Sequence, residues 1–205
     1  MHDGKIFYGA DDDGSGTVTV MEMAKAFAQA KAENHGPRRS IVFMTVSGEE
    51  KGLLGSKYYT EHPAFPLEAT LVNLNTDMVG RYDQEHESDT NYVYLVGSDR
   101  MSSELHQISE RINDTYTKFK IDYKYNDKND PQRIYKRSDH YNFVKKGIPI
   151  IFYFDGLHAD YHQSTDTPDK ISYTLLQKRA QLIFYTAWEL ANKEGRLVLD
   201  KREED

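Results

Sequence analysis

The chain contains no cysteine. It can form neither a disulfide framework nor a thiolate metal site, so any transition metal must be held by His, Asp and Glu. An excess of positive charge is also missing. The 205 residues carry 33 acidic against 26 basic side chains, a formal net charge of −7, with no basic stripe. That balance argues against a nucleic-acid backbone or an anionic membrane surface as partner. No run reaches the ~18 apolar residues of a membrane span, so membrane insertion is not expected. Met1 to Lys5 lack the apolar centre of a signal peptide, which leaves the compartment undetermined.

Aromatic and apolar residues are plentiful. Nine Phe and fifteen Tyr within a 38% apolar fraction are too many for a disordered chain. The length suits one domain over residues 1–205, with a charged tail at 196–205 whose last six residues, from Asp200, read as a solvated mixed-charge end. No repeat or linker divides it.

Apolar, β-branched runs at 40–46, 69–75, 91–96 and 148–154 read as strands. Between them, 18–33, 53–60, 102–113, 140–146 and 173–192 carry apolar residues three and four apart and read as helices. In the last helix Leu175, Leu176, Leu182, Ile183, Ala187, Trp188 and Leu190 form a core stripe, so the single Trp is expected to pack rather than bind a cofactor. Residues 82–90 and 126–136 look like loops. The alternation predicts an α/β fold, three αβα layers around a mostly parallel mixed sheet.

In such sheets ligands gather beyond the carboxyl ends of the strands. Polar residues follow three of the apolar runs: Glu49-Glu50, Asp77, and His158 to His162. The turn Asp11-Asp12-Asp13-Gly14 opens the first long helix. Singly, each has a plain explanation as solvated surface, helix cap or loop. Together, carboxylates and imidazole recurring at one end of several strands suit zinc or another divalent metal.

Five ordered motifs make this specific: GADDDGSGT at 9–17, SGEEKGLLGSKYY at 47–59, NLNTDMVGR at 73–81, SDHYNF at 138–143 with GIPIIFY at 147–153, and DYHQSTDTPDKI at 160–171. In this order they resemble the signatures of the zinc aminopeptidase and glutamate carboxypeptidase family of co-catalytic di-zinc exopeptidases. The resemblance implies Asp12 as a carboxylate bridging two metals, Glu50 and His162 as ligands to one, and Asp77 as ligand to the other. It implies Glu49 as the base acting on a metal-activated water. Tyr161 is a candidate oxyanion donor, and Asp139 and His140 are candidates for lining the pocket or supporting the ligands. The implied activity is hydrolysis of terminal peptide bonds, most simply as an aminopeptidase on peptide substrates, in a secreted or periplasmic parent.

The family's His-x-Asp signature, expected upstream of Asp12, is missing, since His2-Asp3 has no intervening residue. The expectation is an N-terminally truncated domain lacking the first strands of its sheet. Asp12, Glu50 and His162 would then complete one zinc site, while the second keeps Asp12 and Asp77. An exposed sheet edge would invite self-association. Rival readings are a non-catalytic relative, a glutaminyl-cyclase-type acyltransferase built around one zinc, and an EF-hand-like calcium loop at 11–22, whose carboxylate spacing and Glu22 fit.

Overall fold

The computed structural model describes residues 6–201. Four strands form one sheet in the order β1-β4-β2-β3: β1 (Asn73–Thr76), β2 (Tyr92–Val96), β3 (Lys120–Asp122) and β4 (Ile150–Phe154). β1 runs parallel to β4 and β2 parallel to β3, while β2 and β4 are antiparallel. The sheet is therefore mixed and mostly parallel, as the alternation of elements predicts.

β2 and β4 are buried along their whole length, and their side chains alternate between two cores. Val93, Leu95, Ile151 and Tyr153 face one core together with residues of the helices α1 (Gly16–Ala32), α3 (Ser103–Ile112) and α5 (Tyr173–Asn192). Tyr92, Tyr94, Val96, Ile150, Phe152 and Phe154 face the other, with Phe143 and Val144 of α4 (His140–Val144) and the loop residues Tyr125, Ile134 and Tyr135. α2 (Leu54–Glu61) flanks α4, with Tyr59 packed against Phe143. Helix, sheet and helix thus make the three layers.

The helices follow from their residues. α1 is rich in Ala, a strong helix former, and buries Thr19, Met23 and Phe27 at four-residue spacing. Asn34 just beyond it takes a positive φ of 61°, and Pro37 prevents continuation. α3 is opened by Ser102, whose hydroxyl accepts the Leu105 N–H at 3.1 Å. Trp188 of α5 stacks on Phe27 of α1 at 5.6 Å, a packing role as its place in the stripe predicts.

Three expectations need correction. Residues 40–46 belong to no strand, and among the described residues none of them makes a backbone hydrogen bond. The second run forms a ladder only from Asn73, and the Leu67–Ala69 turn takes up its first residue. The C-terminal segment is not wholly a solvated tail. Leu197 is buried in the core, Val198 N–H reaches Glu104 at 3.0 Å, and Lys201 N–H reaches the Met101 carbonyl at 3.3 Å. Apolar Leu197 anchors this stretch, and residues 202–205 lie outside those described.

Candidate active site

β1 and β4 are parallel neighbours, so their carboxyl ends open at the same edge, and the turns that follow them meet there. The turn at 11–15 sits directly on the chain leaving β1. The Asp13 carboxylate accepts the N–H groups of Gly16 (3.1 Å) and Met78 (3.2 Å), and Ser15 Oγ accepts that of Val79 (3.0 Å). A Cβ on Gly16 would lie 2.2 Å from the Thr76 carbonyl oxygen, so only glycine allows this approach. Glu49 and Glu50 lie on a short turn (Glu49–Lys51) framed by Gly48 and Gly52, both at positive φ.

Three of the expected ligands converge. One ligand atom each from Asp12, Glu50 and His162 lies within 4.8 Å of the others. His162 Nε2 is 3.2 Å from Asp12 Oδ2 and 2.9 Å from Glu50 Oε1. The side chains of His162 and Glu50 are 45% and 56% exposed, so the centre is open to small molecules. Asp77 stands outside this trio, its Oδ2 accepting the Ser138 hydroxyl at 2.6 Å. Asn75 of β1 in turn donates to Ser138 Oγ at 2.9 Å.

The electrostatics are those of crowded carboxylates. Burial, then the charges of Asp77 and Glu50, push Asp12 up to about 8. Burial with Asp77, Glu50, Asp139 and Asp12 pushes Glu49 up to about 8. Asp77 rises to about 6 through burial, opposed by the Ser138 hydrogen bond. Among the described residues no Lys or Arg pairs with Asp12, Glu49, Glu50 or Asp77. Two carboxylates and an imidazole at this spacing, with negative charge left uncompensated, fit a divalent zinc.

The other candidates separate. Tyr161 stacks on His162 at 3.8 Å, and its phenol, pushed up to about 12 chiefly by burial, keeps its proton at neutral pH. Asp139 accepts a hydrogen bond from Ser56 Oγ, and its charge raises Glu49, which places it beside the site. His140 does not line the site. It is fully buried, Nε2 lies 2.8 Å from the Tyr135 carbonyl, its ring stacks on Phe152 at 4.7 Å, and burial lowers its pKa to about 4. Its position at the start of α4 turns it toward the core of that layer. His2 lies outside the described residues.

The calcium-loop alternative is overturned. Asp11 is completely buried, with Oδ1 accepting the Gly80 N–H at 2.8 Å and Oδ2 3.1 Å from His158 Nε2, while Glu22 is exposed and paired with Lys25. No common loop interior gathers these carboxylates.

Sequence reasoning assigned no role to Asp166, Asp155 or Arg179. Asp166 accepts the backbone N–H groups of Asp11 (3.0 Å) and Asp12 (3.1 Å), fixing the turn that presents Asp12. Arg179 of α5 is fully buried and donates to the carbonyls of Tyr92 (3.1 Å), Val79 (3.0 Å) and Arg81 (2.6 Å) and to Asp155 (3.3 Å). Burial and the Asp11 charge raise Asp155 well above the carboxylate range, against the pull of Arg179. An Arg at the centre of an apolar helical stripe was the signal that could have revealed it.

An α/β sheet with a carboxylate and imidazole centre at its carboxyl edge defines the class, an α/β protein with a candidate metal centre. The pattern of Peptidase family M28 matches residues 2–187, and the chain belongs to that family. A probable leucine aminopeptidase of Arthroderma otae is 30% identical over 190 residues, 89% of this chain and 48% of that protein. A zinc aminopeptidase from Bacillus subtilis superposes with a TM-score of 0.71 at 25% identity, over 92% of this chain and 44% of its own. The LapA aminopeptidase of Legionella pneumophila, at 24% identity, shares the fold with a TM-score of 0.76, over 92% of this chain and 48% of its own. The chain spans about half the length of the curated relatives it matches.

Proposed function

We propose that the protein is a zinc-dependent exopeptidase acting as an aminopeptidase on peptide substrates. The observation that carries this reading is the convergence of Asp12, Glu50 and His162 within 4.8 Å, with Glu49 next in sequence to one of them. A zinc ion held by these three residues would supply Lewis-acid polarisation of the scissile carbonyl and acidify water.

The chain's own residues do the rest. Glu49 takes the proton of the attacking water and delivers it to the departing amine, and its elevated pKa near neutrality suits both transfers. The protonated Tyr161 phenol, next to the centre through its stack on His162, donates to the oxygen that gains charge. Asp166 holds the Asp12 turn, and Ser138 orients Asp77. Asp77, with Asp12, would contribute to a second and weaker metal position. The unpaired segment 40–46, in which Val42 is 51% exposed, favours self-association, which sedimentation of the metal-loaded protein measures.

Zinc titration of chelator-stripped protein, with aminoacyl-nitroanilide hydrolysis followed in parallel, tests the function. One tight zinc with turnover is expected, and Glu49→Gln should keep the zinc while slowing hydrolysis by about 10²–10⁴-fold. Tight calcium without zinc, or an unchanged rate in Glu49→Gln, would overturn the reading.

A further inference from the structure

Arg137 stands apart from the chain's other site residues by its charge. It directly precedes Ser138 and Asp139, the residues that bond Asp77 and border Glu49, so its backbone forms part of the site wall. Its side chain is exposed, and Nη2 donates to the Tyr161 phenol at 2.8 Å, with the guanidinium 5.8 Å from the ring centroid. On its other side the Tyr161 ring lies 3.8 Å from that of His162. Guanidinium, phenol and imidazole thus form a short row leading away from the metal cluster. Among the described residues Arg137 makes no salt bridge, although Asp12, Asp13, Glu49, Glu50, Asp77 and Asp139 all lie around this edge of the sheet. Of the nearby cations, Lys136 lies over the Tyr141 ring at 5.5 Å, while Arg137 bonds the Tyr161 phenol.

We propose that Arg137 binds the free α-carboxylate of short peptide substrates, so that the site prefers dipeptides and tripeptides with an unblocked C-terminus. This rests on the exopeptidase reading. A peptide chain advances at most about 3.5 Å per residue, so one or two residues beyond a carbonyl at the zinc cluster reach the end of the row. There the planar guanidinium offers paired N–H donors matched to a carboxylate, and the Tyr161 phenol, which accepts one N–H, fixes its orientation while leaving other donors free. A longer peptide or an amidated end presents no anion at that distance.

The test uses the zinc-loaded protein and a leucyl-glycine analogue whose amide is reduced to a non-hydrolysable CH2–NH bond, prepared as free acid and as carboxamide. Calorimetry gives both dissociation constants, and hydrolysis of leucyl-glycine against leucyl-glycinamide is followed separately. The acid should bind about tenfold more tightly than the amide, a ratio falling to about one in Arg137→Gln and partly kept in Arg137→Lys. A role limited to holding Tyr161 would weaken acid and amide alike and leave the ratio unmoved. Equal binding of the two forms, or a preference that survives Arg137→Gln, overturns the proposal and leaves the exopeptidase reading intact. Failure of both forms to bind, with no hydrolysis of either peptide, overturns that reading and this proposal with it.

Discussion

Asp11 and Asp12 are consecutive, yet they belong to two different kinds of acidic cluster. Asp11 points inward to a region in which Asp155 and Arg179 are also completely buried, and where backbone N–H groups, carbonyls and the Arg179 guanidinium provide partners from within the chain. Asp12 points to the half-exposed Glu50 and His162, and among the described residues no Lys or Arg forms an ion pair with it. The first cluster carries its own cation. The second has the donors and lacks the charge. Identical side chains therefore divide into scaffold and site according to whether the fold supplies the counter-ion or leaves it to the solvent.

The largest effect should come from breaking the inner cluster. Arg179→Gln removes the buried guanidinium and strands Asp155 and three carbonyls, so unfolding in urea should show a loss of about 3–5 kcal/mol. If stability is unchanged, water has replaced the guanidinium and the inner cluster is not sealed.

An intermediate effect should come from the hinge between the two. Asp166→Asn weakens the acceptor that binds the Asp11 and Asp12 N–H groups, and zinc affinity should fall about 10–100-fold with the secondary structure intact. Zinc titration checks this. An unaltered affinity would mean that the turn is held by Asp13 and Ser15 alone.

The smallest effect sharpens the contrast through pH. In metal-free protein Asp12 and Glu49 are both raised to about 8. A carboxyl whose folded pKa exceeds its unfolded value stabilises the fold while protonated, fully below the unfolded value near 4, and loses that contribution as pH rises toward 8. The melting temperature of the metal-free protein should therefore drift down between pH 5 and 8.5, and zinc should flatten the slope. A metal-free profile that rises over this window would contradict the crowding.

How much of this was legible in the sequence depends on how local the cause was. The helices were readable because their periodicity is a property of each segment alone, and α5 begins and ends where the stripe predicts. The turns after β1 and β4 were readable because a strand's carboxyl end is marked by the change from apolar to polar residues. β3 was not, since Lys120-Ile121-Asp122 offers one apolar residue and is a strand only because β2 pairs with it. Residues 40–46 have strand composition but no neighbour to pair with among the described residues, and composition cannot supply one. Asp12, Glu50 and His162 could be named from motifs. Asp166 could not, because its backbone partner Asp12 lies 154 residues away, and for Arg179 only its place in an apolar stripe, not its partners about a hundred residues away, could be read from the sequence.

The stack of Trp188 on Phe27 makes the protein its own fluorophore. The only indole in the chain sits in the seam between α1 and α5, half-buried and outside the metal cluster. Its emission will follow the seating of α1, the helix that starts where the Asp12 turn ends. Zinc loading that tightens the turn is thereby visible without a label, as a spectral shift separable from the absorbance of a released nitroaniline.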